Sequence, residues 1–110
     1  MSKLEKLLEK YAADIETVGE KLDQNLLRAV AKSCGPSIYR KDASLVAASD
    51  PKEVERMKQN FCIKKLGIKD TPRLDEGISE VLKSYKKRQK QRAVVYYLLV
   101  KRFKKGSVFK

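Results

Sequence analysis

Residues 93–100 read "AVVYYLLV", apolar on every side, in a chain whose remaining segments are heavily charged. Such a stretch has to be covered all round, and eight residues are too few for a bilayer, which takes ~20. It therefore belongs in the middle of a protein core, with the rest of the chain wrapped about it. Its β-branched and aromatic residues are compatible with a strand. A lone strand, however, has no ladder partner where the other segments carry helical spacing, so the expectation is a central helix. The basic flanks "KKRQKQR" and "KRFKK" do not turn it into a membrane-surface helix, because no polar face runs between them.

The other segments carry the period that such a wrapping needs. Leu4, Leu8, Tyr11, Ile15 and Val18, with Leu7 beside them, recur at steps of four and three, which predicts an amphipathic helix from Ser2 to Val18. Ser2 and Glu5 have capping-box spacing, and Gly19 offers a left-handed stop. A coiled-coil seam is the sharper reading of that stripe. It ends after barely two heptads, so packing within the domain is the expectation. A second helix should follow the cap Asp23, presenting Leu26, Leu27, Val30 and Cys34, and stop at Gly35 and Pro36. A third should open on Asp50, Pro51 and Glu53, present Val54, Met57, Phe61, Cys62 and Leu66, and end at Gly67 with Ile68 folded back. A fourth should start at Thr71 and Pro72 and carry Leu74, Ile78, Val81, Leu82 and Tyr85. Run straight on, its stripe would consist of Arg88, Gln89 and Arg92, so a break is expected near residues 86–90.

The fold class expected from these segments is all-α: a compact single-domain bundle of about five helices plus one short helix, over residues 1–110. A chain of 110 residues buries roughly two-thirds of its unfolded surface, enough for one core without staples.

The stretch "SCGPSIYRKDASLVAASDP", residues 33–51, gathers the groups that most invite a chemical reading: a cysteine, a tyrosine, an arginine, an aspartate and serines. The chain contains no histidine, which removes Cys-His and Ser-His mechanisms and the commonest zinc ligand. Tyr39 beside Arg40 or Lys41 could act as an acid near a cation, and Asp42 as a carboxylate base. The reading that uses more residues is a connector, with Asp42 capping a short helix through "ASLVAA", Ile38, Leu45 and Val46 inward, and Arg40 and Lys41 in solvent. Cys34 and Cys62 lack metal-ligand spacing, and each falls on an apolar helix face, so both are expected to be buried free thiols. With no secretory signal evident, a reducing cytoplasm is the expected setting.

The strings "CGPSIY", "DASLV", "SDP", "KKLG" and "AVVYYLLVKRF", in this order across nearly the whole chain, resemble a small bacterial family of uncharacterised single-domain proteins. The resemblance implies an all-helical fold and brings no activity, substrate or cofactor with it. The chain departs from it at "YKKRQKQR", where the resemblance implies a connection richer in Gly or Asn.

Charge supplies the remaining functional clue. Residues 71–110 hold twelve Lys or Arg against three Asp or Glu, whereas residues 1–70 hold fourteen against eleven. The excess is densest in Lys83, Lys86, Lys87, Arg88, Lys90 and Arg92, ten residues without an acid. A cluster of this kind at a helix break can follow a nucleic-acid backbone through its phosphates. No zinc-finger spacing, RNP motif or GXXG clamp accompanies it, so sequence-specific readout is not expected. The biochemical role itself is unknown from sequence. A non-enzymatic binding or interaction module is the leading expectation, with weak, non-specific nucleic-acid contact through the basic segment. A protein-interaction or homo-oligomeric helical module is the alternative, and an enzyme using the residue 35–49 loop comes third. No cofactor, metal or membrane span is expected.

Overall fold

The computed structural model describes residues 3–40 and 44–109. Among them the helices follow the sequence punctuation closely: α1 (Lys3–Val18), α2 (Gln24–Ser33), α3 (Pro51–Met57), α4 (Pro72–Ser84) and α5 (Arg92–Arg102). Two predicted caps form as expected. Asp23 accepts from the Leu26 amide at 3.1 Å and Asp50 from the Lys52 amide at 3.0 Å, each satisfying a donor that the first helical turn leaves open. The Ser2 cap lies outside the described residues.

α5 is the axle of the fold. Seven of its eleven residues are buried, among them Val94, Val95, Tyr97, Leu99 and Val100 at 0 % exposure. An apolar helix of this kind has no solvent face to offer, so α1, α2 and α4 pack around it with Tyr11, Ile15, Leu27, Val30, Leu74 and Ile78. The Tyr97 hydroxyl, carried into the interior, accepts from the Asp23 amide at 2.8 Å and donates to the Lys21 carbonyl at 2.7 Å. It thereby ties the α1–α2 connector to the core while satisfying its own polarity. At the far end, α4 approaches α5 closely because Gly77 has no side chain: a Cβ there would lie 2.3 Å from the Phe103 ring.

Three features depart from the sequence expectation. The helix after Asp50 does not continue as a regular α-helix; beyond Met57 it widens into a π-helix, Lys58–Lys65. The Leu66 amide reaches back to the Phe61 carbonyl at 2.9 Å, and at Gly67, with φ of 71°, the chain turns so that the Ile68 amide meets the Cys62 carbonyl at 3.0 Å.

Among the described residues, the short helix expected after Asp42 does not form. Lys41, Asp42 and Ala43 lie outside the described residues, and Leu45–Val46 forms a two-residue strand, β1. β1 pairs antiparallel with β2 (Lys90–Gln91), Leu45 opposite Gln91 and Val46 opposite Lys90. The physical reason is that the α4–α5 connector runs extended and leaves backbone groups open, and a Leu-Val pair can satisfy them while burying Val46 at 4 % exposure. The short helical element lies earlier instead, as a 3-10 turn at Gly35–Tyr39 immediately after α2.

The third departure concerns Cys34. It is a free thiol but only half-buried, whereas Cys62 is free and fully enclosed. Placed at the C-cap of α2, where the chain tightens into the 3-10 turn, Cys34 sits at the margin of the core rather than within it.

Candidate functional site

The break between α4 and α5 falls where the loss of an apolar stripe predicts it, at residues 85–91. This connector is held by a polar lock that begins in α1. Asp14 stands on the buried side of that helix, three residues after Tyr11 and beside Ile15, and is only 2 % exposed. A carboxylate there requires partners, and it has two: the Tyr85 hydroxyl donates to Oδ2 and the Lys87 ammonium lies 2.5 Å from Oδ1. The Tyr85 oxygen in turn accepts from the Gln91 amide at 3.2 Å. The connector is thus pinned at its start and its middle to one buried acid, and at its end to the Tyr85 hydroxyl that this acid holds. Burial, reinforced by the Asp14 hydrogen bond, raises the Tyr85 hydroxyl well above the usual phenol range, so it remains a donor.

The lock divides the basic segment. Lys83, Lys86 and Arg88 are exposed. Lys87 has a half-exposed side chain but spends its charge on Asp14. Lys90 donates to the Lys87 carbonyl at 2.6 Å and lies 5.6 Å from the centre of the Tyr85 ring. Arg92 is turned inward. One of its amino groups meets Glu53 at 2.8 Å and the Leu45 carbonyl at 3.4 Å, and the other meets the Tyr96 hydroxyl at 2.9 Å. Its own backbone amide donates to the Ser44 carbonyl at 2.8 Å. Arg92 therefore joins α3, α5 and β1 as a structural cation. Six neighbouring charges in sequence divide into three exposed cations, Lys83, Lys86 and Arg88, and three engaged by partners within the fold, of which Lys87 is itself exposed.

The connector between α2 and α3 is pinned differently. Ile38 and Val46 are buried, Leu45 is half-buried, Arg40 is exposed and Tyr39 is 50 % exposed. Tyr39 and Arg40 do not meet in a pocket, and Asp42 and Lys41 lie outside the described residues. Three members of the 33–51 stretch do face a cavity: Ser33, Cys34 and Ser37 line a space of about 380 Å³ together with residues of the π-helix and of α5. Burial pushes the Cys34 thiol up to about 11, against the pull of nearby Arg92, so near neutral pH it is a protonated, weak nucleophile. The enclosed Cys62 is pushed further, to about 12.

A second buried charge was not signalled by the sequence pattern. Lys58, at 8 % exposure, sits at the start of the π-helix and bridges Asp70 at 2.8 Å and Asp75 at 2.9 Å. The hydrogen bonds to Asp70 and Asp75 hold its ammonium above the ordinary lysine range. It fastens the π-helix to the first turn of α4. For Asp14 the only sequence signal was its position on the apolar face of α1; for Lys58 it was its place four residues after Val54. No cluster of three or more metal-ligating residues occurs among the described residues, and no helix among them is long and apolar enough to cross a membrane.

Residues 10–107 match a family described as protein of unknown function (DUF2853), and the chain belongs to that family. No curated protein matches the chain.

Proposed function

We propose that this chain, a member of a family whose function is not established, is a non-enzymatic binding module that contacts nucleic acid weakly, through phosphates, by the outer side of the α4–α5 connector. One observation carries the reading. Lys83, Lys86 and Arg88 are exposed on a connector held in place from within, and no acid lies among residues 83–92. Cations on a pinned backbone lose less entropy on meeting a phosphate than cations on a free loop. Lys87, Lys90 and Arg92 belong to the support of this surface rather than to its contact face. The non-enzymatic part rests on the chain's lack of histidine and on a half-buried thiol kept protonated at neutral pH.

Fluorescence anisotropy of a labelled duplex, titrated at several salt concentrations, tests the proposal. With three phosphates neutralised, log K should fall against log salt with a slope of about −2.7, and Kd should be on the order of 10⁻⁴ to 10⁻⁶ M at physiological salt. Replacing Lys83, Lys86 and Arg88 by Gln should flatten the slope with the helical circular-dichroism signal intact. Binding unchanged by that replacement would acquit these residues. Absence of binding even at low salt would transfer the assignment to the interaction-module alternative, for which light scattering reads the oligomeric state.

A further inference from the structure

The cavity beside Cys34 draws its walls from four elements: the end of α2, the 3-10 turn that follows, the π-helix and the first turns of α5. It is a cleft open to solvent, with Ser33, Asn60 and Lys65 exposed along it, and it uses none of the outer cations of the basic segment. Its volume of about 380 Å³ suits a small metabolite rather than a chain segment.

The polar groups that face it are not mixed at random. Two cations line it, Lys65 and Arg92, and among the described residues no Asp or Glu does. Glu53 pairs with Arg92 from behind at 2.8 Å, so the cation presented to an occupant is exposed Lys65. Asn60 adds an amide that can both donate and accept. The two serines are more specific. Ser33 donates its hydroxyl hydrogen to the Val30 carbonyl at 2.6 Å, and Ser37 donates to the Cys34 carbonyl at 2.8 Å. With those hydrogens committed, each serine offers the cavity an acceptor oxygen and no donor. An occupant must therefore bring one anionic group for Lys65 and hydroxyl donors for the serines.

The fourth wall is aromatic. Phe61 and Tyr96 stack with ring centres 4.0 Å apart, a flat edge against which carbon-bound hydrogens can lie. The π-helix has a direct part in this arrangement. Its wider turn brings Asn60, Phe61 and Lys65 to one cavity wall, and π segments recur at functional sites for this reason.

We propose that this cavity binds a small hydroxylated organic anion with a single anionic head group, a carboxylate or a phosphate monoester. Lys65 and Asn60 hold the head group, and the hydroxyls donate to Ser33 and Ser37. Cys34 lies in the wall and reports occupancy without taking part in chemistry.

The test uses that thiol. The rate of Cys34 alkylation by iodoacetamide is measured at mildly alkaline pH on the full chain, by peptide mass spectrometry, with enclosed Cys62 as the internal control. Gluconate, ribose 5-phosphate, free ribose and inorganic phosphate are each added at about 10 mM, the range in which a ligand of millimolar affinity saturates. Gluconate or ribose 5-phosphate should slow Cys34 by about threefold or more while leaving Cys62 unchanged, and which of the two does so identifies the head group. Lys65→Gln, at an exposed position, should abolish the protection with circular dichroism unaltered. Replacing Lys86 and Arg88 by Gln should leave it intact, separating this site from the nucleic-acid surface. Protection equal with free ribose or inorganic phosphate, protection that survives Lys65→Gln, or no protection by either anion would overturn the proposal.

Discussion

The two connectors that meet in the β1–β2 ladder are held in opposite ways. The α2–α3 connector is anchored by apolar side chains, Ile38 at 4 % and Val46 at 4 % exposure, and leaves its polar residues Tyr39 and Arg40 outside. The α4–α5 connector is anchored by a buried carboxylate, with Asp14, Tyr85 and Lys87 forming its lock and Gln91 joined to it through the Tyr85 hydroxyl. In one case chemistry-bearing residues are surplus to the fold. In the other, half of an ordinary-looking charge run is part of it. The number of polar groups in a segment therefore says little about whether they are available to a ligand; what decides is whether a buried counter-group claims them.

Breaking each anchor should expose this difference. The largest effect is expected from Ile38→Ala, which removes apolar volume from a site with nothing to refill it. Loss of about 3 kcal/mol of unfolding free energy is expected in urea titration, and a loss below about 1 kcal/mol would mean that the connector is not anchored there. Asp14→Ala comes next. It leaves the Tyr85 hydroxyl without its acceptor, but the released Lys87 ammonium can turn to water, so the cost should be about 2 kcal/mol. Lys87→Gln should cost less, about 1 kcal/mol, because that side chain is half-exposed and its field is screened. A reversed order, with Lys87→Gln the worse of the two, would contradict the view that Asp14 is the centre of the lock. Lys86→Gln and Arg88→Gln should each lie within about 0.5 kcal/mol of the parent, whatever they do to nucleic-acid binding.

Alkaline pH sharpens the comparison from a third side. Cys34, Cys62 and Tyr11 have folded-state values of about 11, about 12 and about 12, each raised chiefly by burial above the unfolded values of 9.0 for the thiols and 10.0 for the phenol. A group whose folded value is raised gives its stabilisation in full below the unfolded value and loses it as pH climbs to the folded one. The native state here binds more protons than the unfolded state between pH 9 and 12, so stability should fall across that window. Urea midpoints should decline as pH is taken from neutrality into that window; a flat profile would contradict the burial of these groups. Within the same window half-buried Cys34 should alkylate well before enclosed Cys62.

Much of the architecture was legible because it is written in local terms. The stripe of α1, the Asp23 and Asp50 caps, Pro51 and Pro72 at first helical positions and the break after Tyr85 each depend on residues within a turn or two of one another. The apolar run 93–100 needed no partner to be recognised as central. The β1–β2 ladder was illegible for the opposite reason: two residues on each side carry no period, and Leu45 and Val46 become a strand only because an extended connector distant in sequence lies alongside. The π-helix was equally hidden, since the apolar positions of "EVERMKQNFCIKKL" satisfy an ordinary helical reading, and its widening accompanies the enclosure of Lys58 between Asp70 and Asp75. The basic cluster was legible as a composition and illegible as a surface. Nothing between Lys83 and Arg92 announces which charges face out.

Sequence alone determined that this protein is a helical wrapping around one apolar helix, that α2, α3 and α4 start where they do, and that histidine chemistry is excluded. Those properties follow from side-chain period, capping and composition, which are counted along the chain. Tertiary structure alone decided that Asp14 would claim Tyr85 and Lys87, that Glu53 would claim Arg92, and that Ser33, Ser37, Asn60 and Lys65 would share one cavity. The reason is that the cost of a buried charge is set by what else is buried with it, a property of the space between elements that no single element contains.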